Sequence, residues 1–275
     1  MNKKASIQII TLLGLIILFY LLTLVSMLIF QAKGVEPWRM LMATSALQNI
    51  GVFIIPAVIT ARIFNPGKTL QTLQLNRIPG FVHWILMLLI YLASIPMMNA
   101  IVLWNEGWQL PETLSWMREM EDAAKVATEQ MLNVTSIGQL LIVILIVGIL
   151  TGVGEELIFR GSVQRLMLEK KINPHIAIWA TAFIFSAIHF QAYGFVPRML
   201  LGAFFGYTAL WSGSLWLPIA AHALNNSLTT ITYYEPALEQ MTWIGTEPTT
   251  TTVVCSTIAT ITLIVIYVRY YKQGK

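Results

Sequence analysis

Gly152-Val153-Gly154-Glu155-Glu156-Leu157-Ile158-Phe159-Arg160-Gly161 follows directly on the apolar run Leu140 to Val153. Two adjacent carboxylates and an arginine at the edge of a membrane-length segment are costly, and such groups default to a functional reading. On a helix, positions four apart share a face, so Glu156 and Arg160 can pair. Glu155 is rotated from Glu156 by about 100° and is left to face something else. The bland alternative is a salt-bridge cluster at a membrane boundary.

Working outward, the whole chain has the same character. Its 275 residues are 56% hydrophobic and 11% charged, against about 25% charged in a soluble domain. We expect an all-α, polytopic transmembrane helix bundle forming one integral membrane domain over 1–275. The net charge of +4 is scattered between apolar spans, which gives no nucleic-acid signal. The single cysteine, Cys255, excludes an intrachain disulfide and a cysteine metal cluster. The apolar stretch Ile9 to Phe30 is longer than a signal h-region of about 7–15 residues, so it reads as a first membrane span.

Segments of about 17–25 apolar residues suggest eight spans, over roughly 7–31, 44–62, 81–104, 137–154, 173–190, 197–212, 214–232 and 251–270. Helical pattern in the fourth continues past Glu155 to Leu168. Pro56 and Pro96 fall inside spans as expected kinks. Ser212-Gly213-Ser214 predicts a tight hairpin between the sixth and seventh. With the N-terminus inside, 12 of the 17 basic residues, among them Lys3, Lys4, Arg160, Arg165, Lys170, Lys171 and Lys275, fall on inner segments. This bias predicts cytoplasmic termini, with the Glu155 stretch near the cytoplasmic face. Trp38, Trp84, Trp104 and Trp216 fit interfacial anchoring. The loop 105–136 is then outside. Met117, Met120, Ala124, Ala127 and Met131 give it one apolar helix face after Pro111, suited to the outer membrane surface or to capping the bundle. A solvated acidic connector is the alternative. Gly148-x-x-x-Gly152 and Gly202-x-x-x-Gly206 read as close helix packing.

Of four histidines, His83 and His175 lie at span edges and read as interfacial. His189 shares a helix face with Phe185, and His222 with Asn226. Lipid satisfies none of these polar faces, so the spans carrying Glu155, His189 and His222 should converge on one pocket. A carboxylate and an imidazole together can polarise water, and a second histidine with an amide donor can stabilise an oxyanion. No Gly-x-Ser-x-Gly nucleophile motif accompanies them. Glu155, His189 and His222 could instead hold zinc with an open water position, although His-Glu-x-x-His is absent. Asn226, a poor zinc ligand, leans the reading toward a metal-free water, and the alternatives stay open.

Glu155-Glu156-x-x-x-Arg160, Phe185-x-x-x-His189 and His222-x-x-x-Asn226, in this order over 150–230, resemble the motifs of the CAAX-protease and bacteriocin-processing (Abi) membrane proteases. Residues 1–136 carry no motif of that family. The resemblance implies a catalytic helical core at 150–230, with Glu155 and His189 activating water. His222 and Asn226 would support the oxyanion, and Glu156, Arg160 and Phe185 would order the site. It implies intramembrane hydrolysis of a membrane-associated protein or peptide, commonly classed as metalloprotease chemistry, and the short, loop-poor chain suggests a bacterial cytoplasmic membrane. A non-catalytic immunity or scaffold protein of the same fold is the first alternative, and a transporter the second. The missing internal repeats weigh against a transporter.

Overall fold

The computed structural model describes residues 3–273. Met1, Asn2, Gly274 and Lys275 lie outside the described residues, and so does the side chain of Lys3, so the expectations for the termini that rest on Lys3 and Lys275 are not addressed. The described residues contain helices and no strand. Five helices are long and apolar enough to cross a membrane: α1 (Lys4–Ala32), α2 (Pro37–Phe64), α3 (Phe81–Glu106), α5 (Ile137–Glu169) and α9 (Thr250–Gln273). Between them lie α4 (Ser115–Leu132), α6 (Pro174–Ala187), α7 (Phe195–Ser212) and α8 (Trp216–Tyr234). The last three correspond to expected spans five to seven. Among the described residues α6, at 14 residues, is the one shorter apolar helix. Helices α7 and α8 carry Arg198, Thr208, His222, Asn225 and Asn226, polar residues that face protein and dilute the apolar signal.

Each proline has a structural answer. Pro96 cannot donate to the carbonyl of Leu92, four residues back. The indole N–H of Trp243 takes that oxygen at 2.8 Å. One residue on, the hydroxyl of Ser256 on α9 accepts from Met97 N–H and donates to Ala93 O, repairing the α3 ladder from outside. Pro56 follows a π-helical stretch at Asn49–Ile54. Two further π-helical stretches, Ile144–Leu150 and Phe159–Gln164, bracket the two glutamates in α5. The Thr151 and Ser162 hydroxyls each donate to the carbonyl five residues back, which fits the widened turns. Such stretches recur at functional sites.

Glycines set the closeness of the core. A Cβ on Gly152 would stand 3.0 Å from Ala223 N and 3.2 Å from Ile219 O on α8. One on Gly202 would meet the Ala182 backbone on α6 at 3.3 Å. Both small-residue patterns therefore pack helices. Gly213, at φ 64°, ends α7 in the left-handed region and gives the tight hairpin expected there.

Helix α4 is amphipathic as expected, with one correction. Met120 is 45% exposed, and Glu121 lies on the half-buried face with Met117, Ala124, Ala127 and Met131. Glu121 accepts from Tyr193 N–H at 3.0 Å, and Arg118 donates to the Tyr193 hydroxyl at 2.9 Å. Helix α4 thus lies over the loop between α6 and α7. His83 and His175 bond the hydroxyls of Tyr267 and Tyr207, each at 2.8 Å, rather than merely marking a boundary.

Candidate active site

Helix α5 places both glutamates in mid-helix, about 27 Å of rise from Ile137 and about 21 Å from Glu169 at 1.5 Å per residue. Glu156 and Arg160 form the expected pair at 2.7 Å, with neither side chain exposed. Arg160 also donates to Gly202 O at 2.7 Å. Its guanidinium is caged by the rings of Phe185, Phe205 and Phe159, at 4.9, 5.4 and 5.9 Å. One π-turn on, Gln164 repeats the link to α7 by donating to Gly206 O at 3.1 Å.

The same Glu156 oxygen reaches a second partner. His222 Nδ1 lies 2.9 Å from Glu156 Oε1. A carboxylate fixed by an arginine accepts, so Nδ1 carries the proton and points Nε2 the other way. There Nε2 stands 3.8 Å from Glu155 Oε2. Arg160, Glu156, His222 and Glu155 therefore run as one line of polar contacts between α5 and α8. Phe205 stacks on the His222 ring at 4.8 Å and 17°.

His189, just beyond the end of α6, is fixed by its own helix. Its Nδ1 donates to Phe185 O at 2.8 Å, which leaves Nε2 with the lone pair. Phe190 follows in the left-handed region at φ 53° and turns the chain away. Phe185 touches Phe159, His189, Arg160 and His222, so its ordering role has a physical basis in ring contacts. Asn226 donates from Nδ2 to Val147 O at 3.1 Å and accepts from Asn225 Nδ2 at 3.2 Å. One Asn226 N–H therefore serves α5, and the other is left for a ligand.

All four residues expected to be catalytic, Glu155, His189, His222 and Asn226, line one cavity of about 370 Å³, together with Thr151, Phe185, Phe205, Asn225 and Arg198. The structure thus brings the three motifs together. Residues 137–228 match the model of the family described as type II CAAX prenyl endopeptidase Rce1-like.

This region is similar to that family. It covers α5 to α8 as far as Leu228 and so contains all three motifs, which bears out the resemblance read from them. The family is a peptidase family, and its match together with five membrane-length apolar helices makes this an integral membrane protein. No curated protein and no solved structure matches the chain.

One expectation about the site needs correction. The cavity does not lie at the end of α5 that carries Arg165, Lys170 and Lys171. Its walls include His189, Gly194 and Arg198 from the loop beneath α4, toward the opposite end of the bundle. The helix simply runs on past Glu155 for four turns. Arg160 and Arg165 are buried and Arg198 lines the cavity, so these three are not loop charges of the kind that sets orientation. Dropping them takes two from the inner count and one from the outer, and the bias survives. Among the described residues no group of three His, Cys, Asp or Glu side chains is gathered as in an occupied metal site. His189, with Nδ1 on Phe185 O, keeps its Nε2 lone pair for water or an ion, so both the metal-free and the zinc reading stand.

Arg198, Asn225, Phe205 and Gln164 were not singled out by sequence. Arg198 had a signal: it is the one basic residue between Lys171 and Arg269.

Proposed function

We propose that this protein is an intramembrane endopeptidase of a bacterial cytoplasmic membrane, crossing it eight times with both termini cytoplasmic. It hydrolyses a peptide bond in a membrane-associated protein or peptide by a general-base mechanism. The observation that carries this reading is the fixed proton pattern around one cavity: both imidazoles hold their Nδ1 proton on the protein. The water donates one hydrogen bond to Glu155 and one to His189 Nε2. Glu155 takes its proton as the oxygen attacks the scissile carbonyl, work of the kind that contributes about 10²–10⁴ in rate. His222, which takes a second proton from solvent before the attack and keeps it throughout, presents Nδ1–H to Glu156 and Nε2–H to the oxyanion, beside the spare Asn226 N–H. Glu155 returns its proton to the leaving amine as the carbon–nitrogen bond breaks. The proton taken from water thus ends on the leaving amine, and no step is routed through a metal.

The test compares membrane-protein fragments between cells making the wild type and cells making Glu155→Gln. New peptide termini should appear with the wild type alone. Identical fragment sets would favour the non-catalytic alternative. Purified protein, assayed after chelation and dialysis with its zinc content measured, decides the cofactor. Stoichiometric zinc, with activity lost to chelator and restored by zinc, would overturn the metal-free mechanism.

A further inference from the structure

Two adjoining cavities lie toward the end of the bundle opposite α4. One, of about 680 Å³, is a mainly apolar groove between α3, α6, α7 and α9. The other, of about 500 Å³, is polar, and its walls include Arg77 and His83. Leu210, Trp211 and Tyr271 line both. Lys272 stands in the wall of the groove. On α7 the groove takes Leu200, Phe204, Tyr207 and Trp211, whereas the active-site cavity takes Arg198 and Phe205. The two sites thus use different faces of one helix and meet at Leu201.

The loop that carries Arg77 is fastened to the α7–α8 hairpin. Ser214 Oγ donates to Arg77 O at 2.6 Å, Leu215 N–H to Gln74 O at 3.0 Å, and Trp216 Nε1 to Leu75 O at 3.0 Å. His83 holds one ring nitrogen at 2.8 Å from the Tyr267 hydroxyl and has the other to offer. The side chains of Arg77 and Lys272 are exposed, and among the described residues no carboxylate stands at ion-pair distance from either. Every Asp and Glu other than Glu155, Glu156 and Glu169 lies toward the α4 end. Glu169 is bonded to Arg165. The Lys272 end is therefore a basic surface, with Arg77, Lys170, Lys171 and Arg269 beside it.

From Leu200 to Trp211 the groove follows α7 for about 17 Å at 1.5 Å per residue. The hydrocarbon core of a bilayer is about 30 Å thick, so this length runs from one headgroup level to near the midplane. An acyl chain fits such a run. Trp211 and Tyr271, in the shared wall, are amphipathic rings of the kind that sit at headgroup depth. Basic pockets between membrane helices hold anionic headgroups. We propose that the groove and the pocket together bind one anionic phospholipid, with an acyl chain along α7 and the phosphate held at the mouth by Lys272 and Arg77. This site lies apart from the peptidase chemistry and does not depend on it. A neutral lipid would fill the groove and leave both cations unpaired. A headgroup with an amine would bring its own positive charge to the same two cations.

Native mass spectrometry of the full chain in detergent counts the lipid it retains. The protein is offered phosphatidylglycerol, phosphatidylethanolamine and diacylglycerol in equal amounts, all with the same acyl chains. One phosphatidylglycerol per chain should be retained, about tenfold or more over either of the others, since each basic residue near a headgroup is worth roughly a factor of five. Arg77→Gln combined with Lys272→Gln should bring the three lipids near parity, and it leaves the Arg77 O bond to Ser214 in place. Val268→Trp, which puts a large ring in the groove wall, should lower retention of all three. Lys170→Gln combined with Lys171→Gln removes the same charge from the same end outside the groove, and should change nothing. Unchanged melting temperatures in lipid-free detergent confirm folded protein. Equal retention of the three lipids by the unaltered chain would overturn the proposal. So would a preference that survives the Arg77 and Lys272 changes, or one lost equally with Lys170 and Lys171, which would mean diffuse surface charge. Retention unmoved by Val268→Trp would place the lipid elsewhere, and displacement by glycerol phosphate alone would assign the mouth to a soluble phosphate.

Discussion

Glu156→Gln is the sharpest perturbation of the site, because the side chain keeps its shape and loses its charge. Glu156 Oε1 receives Arg160 Nη1 at 2.7 Å and His222 Nδ1 at 2.9 Å, and neither Glu156 nor Arg160 has any side-chain exposure. A glutamine offers one neutral acceptor, and the Arg160 charge stays buried. Breaking a buried pair on one side costs about 3–5 kcal/mol. Two features offset part of this: the Arg160 bond to Gly202 O survives, and the three phenylalanine rings still face the cation. We therefore expect the lower end, about 3 kcal/mol. At about 2 °C or more per kcal/mol for a chain of this size, melting temperature in detergent should fall by roughly 6 °C. Glu155→Gln is the control. That side chain is 13% exposed and makes no contact closer than 3.8 Å to a charged partner, so its melting temperature should move by less than about 2 °C, within the range for changes that break no buried pair. Activity separates the two less than stability does. Glutamine also removes the carboxylate that fixes the His222 tautomer, so Glu156→Gln should lose on the order of 10²–10⁴ in kcat, the range for a misplaced acid–base group. Equal melting shifts for the two variants would refute the division of labour between these neighbours.

Asn226→Ala removes the spare amide donor and should lower kcat by about 10²–10³ with KM little changed, read by steady-state kinetics on any substrate found. Gly152→Leu should abolish folding or expression, because the obstacle to its Cβ is the α8 backbone at 3.0 Å. Gly148→Ala should be far milder, since its nearest neighbour is the Ser227 hydroxyl, which can rotate away; detergent melting curves compare them. Reporter fusions after residue 110 and after residue 170 should report opposite sides of the membrane, and a shared side would sink the proposed topology.

The parts of this site that lie within one helix were legible in sequence. Glu156–Arg160, Phe185–His189 and His222–Asn226 are all four apart, and helical spacing alone puts each pair on one face. The contact of Glu156 with His222, 66 residues away, was not legible, because periodicity fixes neither the rotation of α8 about its axis nor its height against α5. The same holds for Phe205 on His222, Gln164 on Gly206 and Arg198 in the cavity. Convergence itself could be expected on burial cost, but partners could not. On α4 the periodicity was right, yet Glu121 rather than Met120 faces inward, because a backbone N–H in the loop beneath needs an acceptor. Among the described residues five helices are long and apolar enough to cross a membrane, and the sequence reading places a span on each. Helices α7 and α8, expected as spans at 197–212 and 214–232, form where expected but are diluted in hydropathy by the polar residues of the site.

The two adjacent glutamates follow from one requirement. A carboxylate that takes and returns a proton must face the cavity and be free of strong donors. A carboxylate that holds an imidazole in one tautomer must be ionised and immobile. One residue cannot meet both demands. Consecutive positions on α5 can, because the turn of about 100° between them sends one side chain to the Arg160 cage and the other to the cavity. The histidine between them joins the two demands: its Nδ1 is bonded to the fixed carboxylate and its Nε2 stands near the working one. On this reasoning exchanging either glutamate for aspartate should be harmful in different ways. Aspartate at 156 would retract from Arg160 and His222 together and lose stability. Aspartate at 155 would keep stability and lose reach to the water.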